Sequence, residues 1–193
     1  MWDRIATYRK ELQQCFDELR PATLEQIATE ILKPGRTTFI FGNGGSASTA
    51  SHMAVDLAKG AQVEGYPRLR VVSLTDNTAM ITAWANDASY YFVFEEQLKS
   101  LMKRGDVVIG ISASGDSPSV LSAMIYAKEN GAVTIGFIGF GGGKLKQLVD
   151  IDVTVSSRNY GVVEDFHLSL NHIISQFIRQ FLEGGEQWEN PSF

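Results

Sequence analysis

One cysteine, Cys15, is present in 193 residues, so the chain cannot close a disulfide of its own. No apolar run reaches the ~18 residues of a membrane-spanning helix. Positive charge is also scarce. Seventeen Lys and Arg face 22 Asp and Glu, and the net charge of −5 removes any global electrostatic case for nucleic acid or an anionic membrane. The opening residues Met-Trp-Asp-Arg-Ile-Ala lack the basic-then-apolar layout of a secretory signal. Together these features lead us to expect a cytoplasmic protein with neither nucleic acid nor membrane as a direct partner. Internal repeats, low-complexity tracts and long linkers are missing too, which leaves one domain over residues 1–193 as the economical division.

What is present is an alternation of helical and strand patterns. Ile5, Tyr8, Leu12, Cys15, Phe16 and Leu19 recur at helical steps. Pro21 breaks that run, and Thr23 is placed to cap a second helix ending near Leu32. This helical segment, 1–34, precedes an α/β core at 37–183, and an amphipathic helix placed there could pack on the domain or on another subunit, the subunit contact being favoured. Short apolar strands follow at Thr37–Phe41, Arg70–Leu74, Val107–Ser112, Ala132–Ile138 and Ile151–Val155. Helices are expected between them: through His52 to about Lys59, from a cap at Asp76 or Thr78 as far as Asn86-Asp87, over Phe92–Met102, over Ser119–Asn130, and over Lys144–Leu148. A last helix is expected from about Val162 to Leu182, followed by a loose tail from Gly184. Strands separated by helices imply a three-layer α/β/α sandwich around a five-stranded parallel sheet, with the N-terminal helices added.

Two strand ends open into serine-bearing helix starts. The first is Gly42-Asn43-Gly44-Gly45-Ser46, and the second is Ser112-Ala113-Ser114-Gly115-Asp116-Ser117-Pro118. Glycines admit a ligand close to the backbone, and a helix N-terminus attracts negative charge. Neither loop is a Walker motif, and the spacing of Gly42, Gly44 and Gly45 does not fit a dinucleotide fingerprint. One such loop is consistent with a plain turn; two point to a phosphorylated small molecule held at the carboxyl ends of the strands.

A third constellation combines His52 and Asp56, four residues apart on one helix, with Glu164, Asp165, His167 and His172 on the last helix. There the apolar stripe Val163, Phe166, Leu170, Ile173, Phe177 and Phe181 should face the core or a partner. Glu164 and His172 lie about 80° apart around the axis. Asp165 is nearer to eclipsing His172 and is a second candidate. His52, Asp56, Glu164 and His172 make a donor set fit for a divalent metal such as zinc, although a helical histidine or a His-Asp pair is often only structural.

On these residues the chain resembles the sugar isomerase (SIS) domain family, with the phosphoheptose isomerases as the best match within it. The resemblance runs through Gly42-Asn-Gly-Gly-Ser-Ala47, His52 to Leu57, Asn86-Asp87, Gly105 to Ser117, Gly142-Gly-Lys144, Glu164 to His167 and His172. It implies a flavodoxin-like sheet and a homotetramer with active sites between subunits. It also implies aldose–ketose isomerisation of a phosphorylated sugar, sedoheptulose 7-phosphate first among candidates. Carried over, Ser112, Ser114 and Ser117 would bind phosphate, Asn43, Gly44, Gly45 and Ser46 would line the sugar, and Asp87 would touch its hydroxyls. His52 and His172 would be metal ligands, with His172 also an acid/base group and His167 structural. Three positions depart from the family. Asp56 stands at its catalytic glutamate, Glu164 at a glutamine ligand, and Ala113 where threonine is frequent. The departures keep open a second reading, a non-catalytic SIS protein that binds a phosphosugar or a replication initiator.

Overall fold

The computed structural model describes residues 1–184. The chain runs through α1 (Trp2–Asp17), α2 (Pro21–Leu32), β1 (Thr37–Gly42), α3 (Gly45–Val55), β2 (Arg70–Ser73), α4 (Thr78–Asp87) and α5 (Glu95–Leu101). It continues through β3 (Val107–Ser112), α6 (Pro118–Glu129), β4 (Val133–Ile138), α7 (Gly143–Leu148), β5 (Ile151–Thr154) and α8 (Tyr160–Glu183). All five strands pair in parallel in the order β2-β1-β3-β4-β5, the flavodoxin-like order. From residue 185 on, the tail expected to be loose lies outside the described residues. No described helix is long and apolar enough to cross a membrane.

Side chains of the central strands alternate between two cores. Ile40, Ile109, Ile111 and Phe137 point to one face, where they meet Met53 of α3, Ile27 and Ile31 of α2, and Phe166, Leu170 and Ile174 of α8. Phe39, Phe41 and Val108 point to the other, against Phe94, Leu98, Val120 and Met124. Both faces of the sheet are therefore covered, which is why β1 and β3 read as continuous apolar runs.

Several local expectations change. Pro21 opens α2 as its first residue, with Arg20 before it, because the fixed φ of proline suits a first helical turn; Thr23 does not cap it. Asn77, rather than Asp76 or Thr78, caps α4 by accepting a hydrogen bond from Met80 N at 3.1 Å, and Asn86-Asp87 complete that helix instead of interrupting it. The Phe92–Met102 helix resolves into a 3-10 turn at Tyr90–Phe92 and α5. The helix through His52 leaves regular geometry at Asp56, where a π-turn spans Asp56–Gly60. In α8 the buried stripe passes through Ile174 and Ile178, whereas Ile173 is 38% exposed. The polar residues His167, Asn171 and Ser175 share that buried face and conceal it from a reading of apolar positions alone.

Candidate active site

In the order β2-β1-β3 the connections leave β1 and β3 on opposite sides, so a crevice opens at the carboxyl ends of these two strands. Gly42 of β1 pairs with Ile111 of β3, which sets the two serine loops side by side. Within the second loop, Ser112 Oγ accepts from Gly115 N at 3.1 Å and donates to Ser117 Oγ at 3.3 Å, and Ser114 Oγ accepts from Asp116 N at 3.2 Å. Gly115 has φ +70, and a Cβ there would run into the Gly142 carbonyl, so the loop closes backbone to backbone on the glycine loop before α7. Ser117 occupies the N-cap position of α6, but its hydroxyl caps no helix N–H. Together with the Pro118 that follows, this leaves the positive end of α6 and the hydroxyls available to an anion. Ala113 is buried and offers only its backbone.

Asn43 links the loops. Its Nδ2 donates to Ser119 Oγ at 3.0 Å on α6, and its Oδ1 accepts from Tyr90 OH at 2.8 Å. Gly44 takes φ +56 at the start of α3, and Ser46 is buried one residue into that helix. Asp87 stands exposed at the end of α4, where its Oδ1 accepts from Asn86 Nδ2 at 2.8 Å and no hydrogen bond ties it to either loop.

Two turns along α3 lie the titratable residues. The donor atoms of His52, Asp56 and His172 fall within 4.8 Å of one another. His52 Nε2 is 3.2 Å from His172 Nε2 and 3.3 Å from Asp56 Oδ2, and His172 Nε2 is 3.6 Å from the same oxygen. Ligands at ~2.1 Å from a tetrahedral ion stand ~3.4 Å apart, so these separations and the two-nitrogen, one-oxygen donor set fit zinc. The π-turn adjoins this cluster. It begins at Asp56, whose carbonyl accepts from Ala61 N at 2.7 Å, and such turns recur at functional sites. Asn171, buried in α8, donates to Asp56 Oδ2 at 2.9 Å.

The remaining candidates lie elsewhere. Glu164 is not part of the three-residue cluster. Its carboxylate packs against Gly45, where any Cβ would overlap it, at the N-terminus of α3 whose dipole favours the charge. Asp165 accepts from Tyr8 OH of α1 at 2.6 Å; partial burial and this contact push the Tyr8 phenol up to about 12. His167 is fully buried beside Phe137, as the structural reading expected. Burial pushes its pKa down to about 4 against the opposing Ile138 carbonyl, and among the described residues neither ring nitrogen has a partner of good hydrogen-bond geometry. A cleft of about 480 Å³ between the α1–α2 corner and β5 lies at the edge of the sheet and holds none of these residues. Sequence reasoning missed Tyr90 and Asn171. The Asn-Tyr pairing is nonlocal and carries no spacing signal, whereas an asparagine one place before His172, on the core side of an amphipathic helix, is a signal that was there to be read.

With that geometry in view, comparisons with known proteins are specific. The SIS domain model matches residues 7–139. A phosphoheptose isomerase of Geobacter metallireducens is 34% identical over 183 residues, covering 93% of this chain and 95% of the relative. Another, of Geobacter sulfurreducens, is 36% identical over 165 residues, covering 84% and 86%. Among solved structures, a phosphoheptose isomerase from Francisella tularensis superposes with a TM-score of 0.85 at 28% identity, covering 93% of this chain and 98% of that one. The chain belongs to the SIS domain family and, within it, to the phosphoheptose isomerases.

Proposed function

We propose that this protein interconverts sedoheptulose 7-phosphate and D-glycero-D-manno-heptose 7-phosphate through metal-assisted enediol proton transfer. The observation that carries the reading is the convergence of His52, Asp56 and His172 on the helix that leaves the first serine loop. Along α3, His52 and Asp56 stand roughly 9 and 15 Å beyond Ser46 at 1.5 Å per residue, a span comparable to an extended seven-carbon sugar phosphate. Isomerisation removes a proton from C1 of the ketose, forms an enediol(ate), and returns a proton to C2 while the O1 hydroxyl proton is transferred to O2. No atom is gained or lost.

Each step maps onto a residue of this chain. Ser112, Ser114 and Ser117, with the backbone at Ala113 and the start of α6, hold the phosphate. Asn43, Gly44, Gly45 and Ser46 line the sugar, and Asp87 meets its hydroxyls. Asp56 is the base and His172 the partnering acid/base group, each with a further polar atom, Oδ1 and Nδ1, outside the close-packed cluster. His52, Asp56 and His172 would hold zinc, with Glu164 as a further ligand on rearrangement. When bound, zinc supplies positive charge for the developing enediolate oxygen.

The whole chain acts as one SIS domain in a cytoplasmic homotetramer. Supporting this, α1 and α2 pack on α8, while Trp2 (82%), Ile5 (51%) and Ile173 (38%) leave apolar surface exposed. The side chains of His52 and His172 are 47% and 43% exposed, and a neighbouring subunit would close the site over them. A panel of ketose and aldose phosphates of five, six and seven carbons, followed by product analysis, tests the reading. Turnover confined to the seven-carbon pair supports it, and equal or greater turnover of a shorter sugar contradicts it.

A further inference from the structure

Asn171 has no exposed surface, and its neighbours on the buried face of α8 are Leu170 and Ile174. Side-chain packing alone would favour a third apolar residue there, because a buried amide must find partners for its oxygen and both N–H groups. Asn171 fills that need only in part. Among the described residues its Oδ1 is buried without a partner, and its Nδ2 reaches out of the core to Asp56 Oδ2 at 2.9 Å. A hydrogen bond to a carboxylate is of the stronger, charge-assisted kind, and it is the one side-chain hydrogen bond Asn171 makes among the described residues.

The geometry makes the two oxygens of Asp56 unequal. Oδ2 receives Asn171 and faces both His52 Nε2 and His172 Nε2, at 3.3 and 3.6 Å. Among the described residues no hydrogen bond reaches Oδ1. An aspartate has one methylene of reach, so the end of α3 sets where its backbone stands and a second contact must set how the carboxylate is turned. An amide suits this task. It holds the oxygen without adding charge, whereas a lysine at the same place would pair with the carboxylate and weaken it as a base or ligand.

We propose that Asn171 is a positioning residue that fixes Asp56 Oδ2 toward the histidine pair and leaves Oδ1 free for proton transfer. The inference rests on the isomerase reading for its last step and on the His52–Asp56–His172 cluster for the rest.

The test compares the parent chain with Asn171→Leu in thermal melting, zinc affinity by competition with a chromophoric chelator, and steady-state isomerisation. Residues that orient a ligand from behind are worth about 10- to 100-fold in metal affinity or activity. Asn171→Leu should therefore lose about tenfold or more in zinc affinity and kcat, keep KM close to that of the parent, and melt no lower than the parent. In the double variant with Asp56→Ala, zinc affinity should equal that of Asp56→Ala alone, since Asn171 acts only through Asp56. Asn171→Ala is run beside it and read by the same limits, so a folding defect of the leucine variant does not decide the matter. Zinc affinity and kcat that stay at parental values, or a double variant weakened again by the full single effect, would overturn the proposal. So would a parent chain that takes up no zinc. A parent that takes up zinc but isomerises nothing removes the isomerase reading, and the zinc comparison then decides the role of Asn171 by itself.

Discussion

Replacing Gly115 by alanine strikes the phosphate loop where it is tightest. At φ +70 the new methyl would meet the Gly142 carbonyl oxygen, with Gly142 C at 2.7 Å and Ile138 Cγ2 at 3.0 Å. Two of these atoms are backbone and cannot swing aside as a side-chain tip would. A left-handed alanine costs about 1 kcal/mol. Forcing the loops apart adds about 1–3 kcal/mol of overpacking. The bond from Leu145 N to Gly115 O, 2.9 Å, is the first casualty, worth about 1 kcal/mol. The total is about 3–5 kcal/mol, or roughly 10 °C in Tm for a chain of this length. Gly141→Ala is the control. It has φ +81 but open space around the added methyl, so only the backbone term applies, about 1 kcal/mol and roughly 3 °C. Differential scanning calorimetry measures both, and titration with inorganic phosphate should show Gly115→Ala binding at least about tenfold more weakly. Equal melting temperatures for the two variants, or parental phosphate binding by Gly115→Ala, would refute the account of this loop.

Two further outcomes follow from other contacts. His167 titrates at about 4 when folded against 6.5 ordinarily, so the unfolded chain takes up its proton first as pH falls. Its contribution to stability is therefore complete above pH 6.5 and is lost progressively down to about pH 4, about 3 kcal/mol in all. His167→Leu, which also removes two unpaired ring nitrogens, should flatten that part of the stability–pH curve relative to the parent in urea titrations; identical slopes would contradict the assignment. Tyr90→Phe removes the bond that orients Asn43 and should raise KM about three- to tenfold with little change in kcat, as read from initial rates.

The sheet and its ligand-bearing end were legible because their causes are local. β1, β3 and β4 are buried on both faces and read as short, mostly apolar and β-branched runs, and the glycine and serine loops announce themselves by composition. His52 and Asp56 could be paired from helical spacing alone. Other features depend on what packs against what. The π-turn at Asp56 lies against α8, and no propensity marks it. The buried stripe of α8 drifted to Ile174 and Ile178 because polar His167, Asn171 and Ser175 share its inward face. Glu164 stands over the start of α3 and outside the His52–Asp56–His172 cluster, since Gly45 leaves room for its carboxylate beside the helix dipole. In each case tertiary contact outweighed the pattern along the chain.

The central claim, enediol chemistry at the His52–Asp56–His172 cluster, is tested most directly by isotope exchange. The zinc-supplemented protein is mixed with sedoheptulose 7-phosphate in D2O, and NMR follows deuterium entering at C1 of the ketose and C2 of the aldose. The account predicts exchange in the parent and its disappearance in His172→Ala, with phosphate binding retained in both. Phosphate binding without any exchange in the parent would contradict it and favour a phosphosugar-binding role on the same fold.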